Sequence, residues 1–171
     1  FFYFSKKEEE NFKKKFNYLK NFNLIQSETK KDFTKNKNWE TNNFQKVVDH
    51  FSNNQWVQIG LSSDKKIENI LNLNGKTTIR ELAYLVKNAK LIVCLEGFIA
   101  HLSSCFNTKT FVIYSGIVPI ENLIYGNIIP ISKSEDLDCS PCYLFTDCNK
   151  SEKYCTSRIT SSDVINVINS R

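Results

Sequence analysis

Residues 93–101, Val-Cys-Leu-Glu-Gly-Phe-Ile-Ala-His, have the composition of an anion-binding turn. An apolar segment leads into Glu96 and Gly97, and the residues after them have helical spacing. The free amides at the start of a helix and the helix dipole favour a phosphate group there. A glycine lets the backbone approach the ligand closely. These residues therefore predict a site for a phosphate-bearing ligand.

Two side chains near this turn leave alternatives open. Glu96 could cap the amides of its own helix or contact a ligand, and the residues alone do not separate the two. His101 lies one helical turn further on, and it could face either the ligand or the core. The turn lacks the G-x-G-x-x-G pattern, which argues against a common nicotinamide or flavin dinucleotide site.

Four cysteines within 17 positions form the second candidate site: Cys139, Cys142, Cys148 and Cys155. Thiolates are soft ligands, and four of them can hold one zinc or iron ion tetrahedrally. Disulfides are the alternative in an oxidising compartment. The spacing differs from the two C-x-x-C pairs of nucleic-acid zinc ribbons. Cys94 and Cys105 lie in apolar segments, so we expect both to be small core residues.

Strands and helices alternate along the rest of the chain. Strands are predicted at 22–26, 55–59, 91–95, 110–114 and 128–131, and helices at 5–19, 41–51, 77–88, 99–106 and 161–169. This alternation, without hairpin signals, predicts one parallel α/β sheet with right-handed crossovers. Ligands bind such sheets at the carboxyl ends of the strands, and the turn after 91–95 lies at such an end.

The composition excludes several classes of protein. A hydrophobic share of 41% with 24% charged residues is typical of globular domains, not of disordered or fibrous chains. The longest apolar stretch, 111–120, is far shorter than the roughly 20 residues of a membrane helix. The net charge is +5, and 20 of the 23 basic residues are lysines. The chain also has 20 asparagines, so the lysines reflect the general composition of the chain. The charge therefore does not indicate a nucleic-acid partner. A chain without methionine is expected to be a fragment or a processed product.

The order of several motifs resembles glycosyltransferase family 9, the bacterial ADP-heptose heptosyltransferases and their protein-modifying relatives. Residues 74–83 and 88–93 resemble the family's L-x-G-K-T-S-L-x-E-L-A and A-D-L-V-V. Residues 96–116 resemble its D-S-G-P-M-H-L-A-A-A-L-G-T-P-T-V-A-L-F-G and keep the acid-to-histidine spacing. Residues 37–44 resemble its K-x-W-P-x-x-x-F. The cysteines of 139–155 resemble a tail that holds a metal in some protein heptosyltransferases.

The resemblance implies the C-terminal, donor-binding domain of a GT-B glycosyltransferase. Its fold would be a Rossmann-like parallel sheet with helices on both faces and a cysteine-rich loop near the C-terminus. One sugar-nucleotide-binding domain would cover residues 1–171, with a linker helix at 1–21, the cysteine-rich loop at 139–155 and a closing helix at 160–170. The N-terminal acceptor domain would be absent together with the catalytic base. No catalytic residue is therefore assigned, and the fragment alone would be inactive.

The resemblance also implies roles for single residues. The donor-binding residues would be Lys37, Thr77, Glu96, Gly97, Phe98 and His101. Lys37 would reach a donor phosphate, Thr77 would contact the adenine, and His101 would lie beside the donor. The amides of residues 96–98 would contact the diphosphate. The usual aspartate is replaced here by Glu96, and Phe98 stands where the family has glycine.

The implied partners are an ADP-heptose-like donor, a lipopolysaccharide-core glycolipid or a protein as acceptor, and the chain's own N-terminal domain. Transfer would need no cofactor, and the four cysteines would hold a structural zinc or iron ion. The family implies a cytoplasmic location, peripheral to the inner membrane. The alternative hypothesis is a non-catalytic, metal-stabilised interaction module, which would ignore nucleotides.

Overall fold

The computed structural model describes residues 2–171, except for the side chain of Lys31. The strands are β1 (Asn23–Gln26), β2 (Trp56–Gln58), β3 (Leu71–Asn72), β4 (Ile92–Leu95), β5 (Thr110–Ile113) and β6 (Ile128–Ile131). They form one sheet in the order β3-β2-β1-β4-β5-β6, and every neighbouring pair is parallel. The predicted Rossmann-like sheet is therefore confirmed. Its strand order reverses between β1 and β4, the position where ligands bind in such sheets.

Seven α-helices connect and flank the strands of the described chain. They are α1 (Lys6–Lys15), α2 (Lys31–Thr34), α3 (Thr41–His50), α4 (Ile79–Asn88), α5 (Phe98–Ser104), α6 (Tyr154–Ser157) and α7 (Ser161–Asn169). Short 3₁₀ turns lie at Lys35–Lys37 and Ile120–Leu123. A capping box starts α1, α4 and α7, because a serine or threonine and an acid three residues later bond reciprocally to backbone amides.

The helices bury apolar residues against both faces of the sheet. On one face α4, α5 and the C-cap of α1 contribute residues such as Phe16, Leu85 and Leu102. On the other face α3 and α7 contribute residues such as Phe44 and Val164. The prediction of helices on both faces is confirmed. None of the helices within residues 2–171 has the length and apolar character that a membrane crossing requires.

The two cysteines expected in the core have different environments. Cys94 in β4 is fully buried, as predicted, and burial raises the pKa of its thiol. Cys105 is exposed, so its assignment to the core was wrong. The predicted helix extended to residue 106, but α5 ends at Ser104 and Cys105 is its C-cap residue. The thiol therefore lies at a helix end that faces solvent.

The N-terminal helix α1 docks on α4 through ion pairs. Lys15 Nζ lies 2.6 Å from Glu81 Oε1, and Arg80 pairs with Glu8. The side chain of Arg80 and the backbone of Ser5 donate to Glu8 and lower its pKa to about 2. Aromatic rings beside the helix add apolar contacts: Phe2, Phe4, Phe12, Tyr84 and Phe106. These contacts join α1 to the sheet domain.

Candidate functional site

The candidate site lies at the carboxyl ends of β1 and β4, the two strands on either side of the reversal in strand order. Gln26 at the end of β1 accepts a hydrogen bond from the Leu95 amide at the end of β4, at 3.3 Å. The chain leaves β1 toward α2 and α3, and it leaves β4 toward α5. Because α3 and α5 cover opposite faces of the sheet, we expect the ligand crevice between the two departing segments.

An ion pair closes the base of this crevice. Lys37 Nζ, from the 3₁₀ turn after β1, lies 2.9 Å from Glu96 Oε1, which directly follows β4. Their side chains are 15% and 2% exposed. The hydroxyl of Ser115, two residues after β5, donates to the same carboxylate oxygen at 3.2 Å. Glu96 Oε2 is buried and has no hydrogen-bond partner within residues 2–171.

This geometry excludes one of the two roles considered for Glu96, that of a helix cap. The N-cap of α5 is Gly97, and no side chain makes a capping hydrogen bond there. The Glu96 carboxylate is therefore not a helix cap, and it binds Lys37 instead. A buried carboxylate is costly unless a cation and hydrogen-bond donors compensate it, which Lys37 and Ser115 do. An ammonium group has three N–H donors. Lys37 can therefore bind an anion while it stays paired with Glu96.

Gly97 and Phe98 follow Glu96 directly, at the start of α5. Gly97 has a φ of 151°, which L side chains rarely adopt, although a Cβ there would meet no atom within 4 Å. The backbone conformation, not crowding, therefore requires glycine at this position. The side chain of Phe98 is 55% exposed, so it does not fill the core.

His101 faces solvent on α5 and not the core, which resolves the open alternative. Its Nδ1 lies 2.8 Å from the hydroxyl of Tyr125, and the two rings meet edge to face. Thr77 lies just before α4, at the carboxyl end of β3. Because β2 and β1 lie between β3 and β4, Thr77 occupies the same edge of the sheet but not the immediate surroundings of Glu96. Its contact with adenine stays a prediction.

Two polar contributors to the site were not predicted. Ser115 follows a predicted strand in a parallel sheet, so its place beside Glu96 could have been found from the strand order. Tyr125 lies in an irregular segment after the 3₁₀ turn Ile120–Leu123. No periodicity there indicates a partner for His101.

The four cysteines of the loop 139–155 are free thiols, each partly buried. Burial raises the pKa of the Cys155 thiol, and the charges of Cys142, Cys148 and Cys139 act in the same direction. Within residues 2–171, however, no three cysteine, histidine or acidic side chains are gathered as one ligand set. The metal site stays a prediction.

Comparison with known proteins gives the family and the fold of this chain. The profile of glycosyltransferase family 9 (heptosyltransferase) matches residues 2–153. No curated protein sequence matches the chain. Several solved structures share the fold, among them the following three. Escherichia coli ADP-heptose LPS heptosyltransferase II superposes with a TM-score of 0.73 at 15% identity, over 98% of this chain and 52% of the enzyme.

The second is the iron-containing dodecameric glycosyltransferase TibC from enterotoxigenic E. coli, with a TM-score of 0.73, 16% identity and coverage of 87% and 44%. The third is E. coli heptosyltransferase WaaC with ADP, with a TM-score of 0.65, 13% identity and coverage of 88% and 44%. This chain spans about half the length of each. At such identities the likeness establishes the fold alone. Because the family profile matches most of the chain, this chain belongs to glycosyltransferase family 9.

Proposed function

We propose that the chain binds the donor for a heptosyltransferase-like enzyme, which transfers a sugar from a nucleoside diphosphate to an acceptor. The observation that carries this proposal is the pairing of Lys37 with Glu96 at 2.9 Å, beside the start of α5 and at the strand reversal. ADP-heptose is the favoured donor, because TibC was solved with ADP-D-β-D-heptose and WaaC with ADP. The acceptor would be lipopolysaccharide core or a protein.

The chemistry asked of this domain is electrostatic. Breaking the bond between the sugar and the diphosphate leaves negative charge on the phosphate oxygens. An ammonium group and backbone amides that already point at this position stabilise that charge without a metal ion. Lys37 would supply the ammonium group, and the amides of residues 96–98 would supply the other donors.

The neighbouring side chains would have supporting roles. Glu96 would hold Lys37 in place, since its carboxylate is almost fully buried and cannot follow a mobile ligand. With Nδ1 of His101 bonded to Tyr125, Nε2 would be the ring nitrogen that meets the donor. Thr77 would contact the adenine at the outer part of the same edge.

The catalytic base would lie in an N-terminal domain, as would the acceptor site. The chain alone would therefore bind the donor and transfer nothing. Residues 1–21 would link the two domains, and 160–170 would close the donor domain. The complete enzyme would act in the cytoplasm, at the inner membrane.

Calorimetric titration of the purified chain with ADP, UDP, GDP and adenosine tests the proposal. We expect saturable binding of ADP and at least tenfold weaker binding of adenosine, because a charge-assisted hydrogen bond to phosphate contributes about 1.5–3 kcal/mol. Raising the salt concentration should weaken the binding of ADP more than that of adenosine. If none of the three diphosphates binds, or if adenosine binds as tightly as ADP, the proposed donor site is wrong.

We also propose that Cys139, Cys142, Cys148 and Cys155 hold one structural zinc or iron ion. Support comes from the softness of four thiolates and from the electrostatic influence of three of them on Cys155. The thiols would have to move together to bind the ion, since they form no ligand set within the described chain.

Zn²⁺ titration of the reduced chain tests this site. One equivalent should bind tightly to the wild type and to Cys105→Ser, because Cys105 is exposed and lies outside the loop. Cys142→Ser should bind at least tenfold more weakly, because it loses a thiolate ligand. Equal binding by both variants, or less than one equivalent in the wild type, would exclude the four-cysteine site.

A further inference from the structure

The cysteine-rich loop holds the turn that carries Lys37. The residue before the lysine, Asn36, is 7% exposed. Its side-chain amide donates to the Leu144 carbonyl at 2.8 Å, and its backbone amide donates to the Phe145 carbonyl at 3.3 Å. Both acceptors belong to the loop, so one buried asparagine binds it twice. The backbone of the lysine turn is thereby tied to a segment more than a hundred residues away.

Side chains on either side of Asn36 extend this contact. Lys35 Nζ lies 2.6 Å from Asp147 of the loop. The ammonium of Lys37 lies 5.6 Å from the centre of the Phe145 ring, a cation–π distance. Phe145 is 40% exposed, whereas the side chain of Lys37 is only 15% exposed, so the ring contributes to the partial burial of the lysine.

The same loop also contacts the Glu96 side of the ion pair. The amide of Cys142 donates to the Gly116 carbonyl at 3.0 Å. A Cβ on Gly116 would lie 2.9 Å from the Ser140 hydroxyl, so the loop packs directly on this backbone. The preceding residue is Ser115, whose hydroxyl donates to Glu96.

We infer that the cysteine-rich loop positions the Lys37–Glu96 pair for the donor, and that Asn36 is the positioning residue through which it acts on Lys37. The inference rests on the proposed function, because it concerns the same donor site. A lysine side chain has four flexible carbons, so the position of its ammonium group depends on how firmly its backbone is held. A change in the loop is therefore expected to alter the affinity for the diphosphate, although the loop does not contact the ligand.

The test combines two measurements on Asn36→Ala, one without nucleotide and one with ADP as the probe. Without nucleotide, hydrogen exchange of residues 35–39 should be at least fivefold faster than in the wild type, because the turn loses its side-chain bond to the loop. ADP should bind about tenfold more weakly, whereas adenosine binding should change less than twofold, since the phosphate contact alone depends on Lys37. A general destabilisation of the domain would instead weaken the binding of both ligands to the same extent.

Two further variants complete the design. Asn127→Ala is the matched control, because its side-chain amide also donates to a backbone carbonyl, that of Thr108 at 2.7 Å, at the opposite edge of the sheet. It should leave ADP affinity unchanged. Asp147→Asn removes an exposed partner of Lys35 and cannot unfold the core. It should weaken the binding of ADP about twofold, as expected for the loss of a surface ion pair.

Unchanged exchange at residues 35–39 in Asn36→Ala would overturn the inference. Faster exchange with unchanged ADP affinity would overturn it as well, because the loop would then hold the turn without affecting the donor site. If the wild type binds no diphosphate, the proposed function fails. In that case the inference about the donor site fails with it, and faster exchange in Asn36→Ala would show only that the loop holds the lysine turn.

Discussion

Lys37→Met is expected to lower the free energy of unfolding by about 3 kcal/mol, since breaking a buried ion pair leaves a charge uncompensated. The carboxylate left behind is that of Glu96, which is 2% exposed and would keep only the Ser115 hydroxyl as a donor. Methionine preserves the apolar length of lysine, so packing changes little. We further expect ADP affinity to fall at least tenfold. Urea unfolding measures the first effect, and calorimetry measures the second.

The double variant Lys37→Met/Glu96→Gln separates these two effects. Glutamine is neutral and can still accept from Ser115, so the stability should return to within about 1 kcal/mol of the wild type. ADP affinity should stay low, because the ammonium group is still missing. If the double variant is as unstable as the single one, the carboxylate is not the cause of the loss. If it recovers ADP binding, Lys37 does not contact the phosphate.

The fold could be predicted because the central strands carry a strong signal. β1, β4 and β5 are short apolar segments buried on both faces of the sheet, and each was predicted to within one or two residues. β3 was missed because it has only two residues, too few for any periodicity. The four-residue helices α2 and α6 were missed for the same reason.

The sequence indicates single residues of the candidate site but not the contacts between them. Lys37 and Glu96 were each recognised from a motif, yet their contact depends on β1 lying beside β4. The sequence does not show which strands are neighbours in the sheet, and so a role as helix cap was equally acceptable for Glu96. The bonds from Asn36 to the cysteine-rich loop had no signal at all, because they end on backbone carbonyls. Such acceptors are present at every residue, so the fold alone determines which one is used.

Trp39→Ala is expected to lower the free energy of unfolding by about 4 kcal/mol, in the range found for a large buried aromatic residue. Trp39 lies two residues after Lys37 and is 2% exposed. Its ring meets Phe44 edge to face with centroids 4.8 Å apart, and its indole N–H donates to the Ile159 carbonyl at 2.7 Å. Trp39→Phe keeps most of the packing but leaves that buried carbonyl without its donor. It should therefore cost about 2 kcal/mol.

The contact with Ile159 also predicts an effect of Trp39→Phe on binding. Asn36 holds the lysine turn on one side of Lys37, and Trp39 anchors it on the other to the segment that follows the cysteine-rich loop. Trp56→Phe is the matched control, because Trp56 is 3% exposed and its indole donates to the Phe51 carbonyl, away from the site. Both variants should lose stability, but only Trp39→Phe should bind ADP several-fold more weakly. Equal ADP affinities in the two would mean that Trp39 stabilises the domain without positioning Lys37.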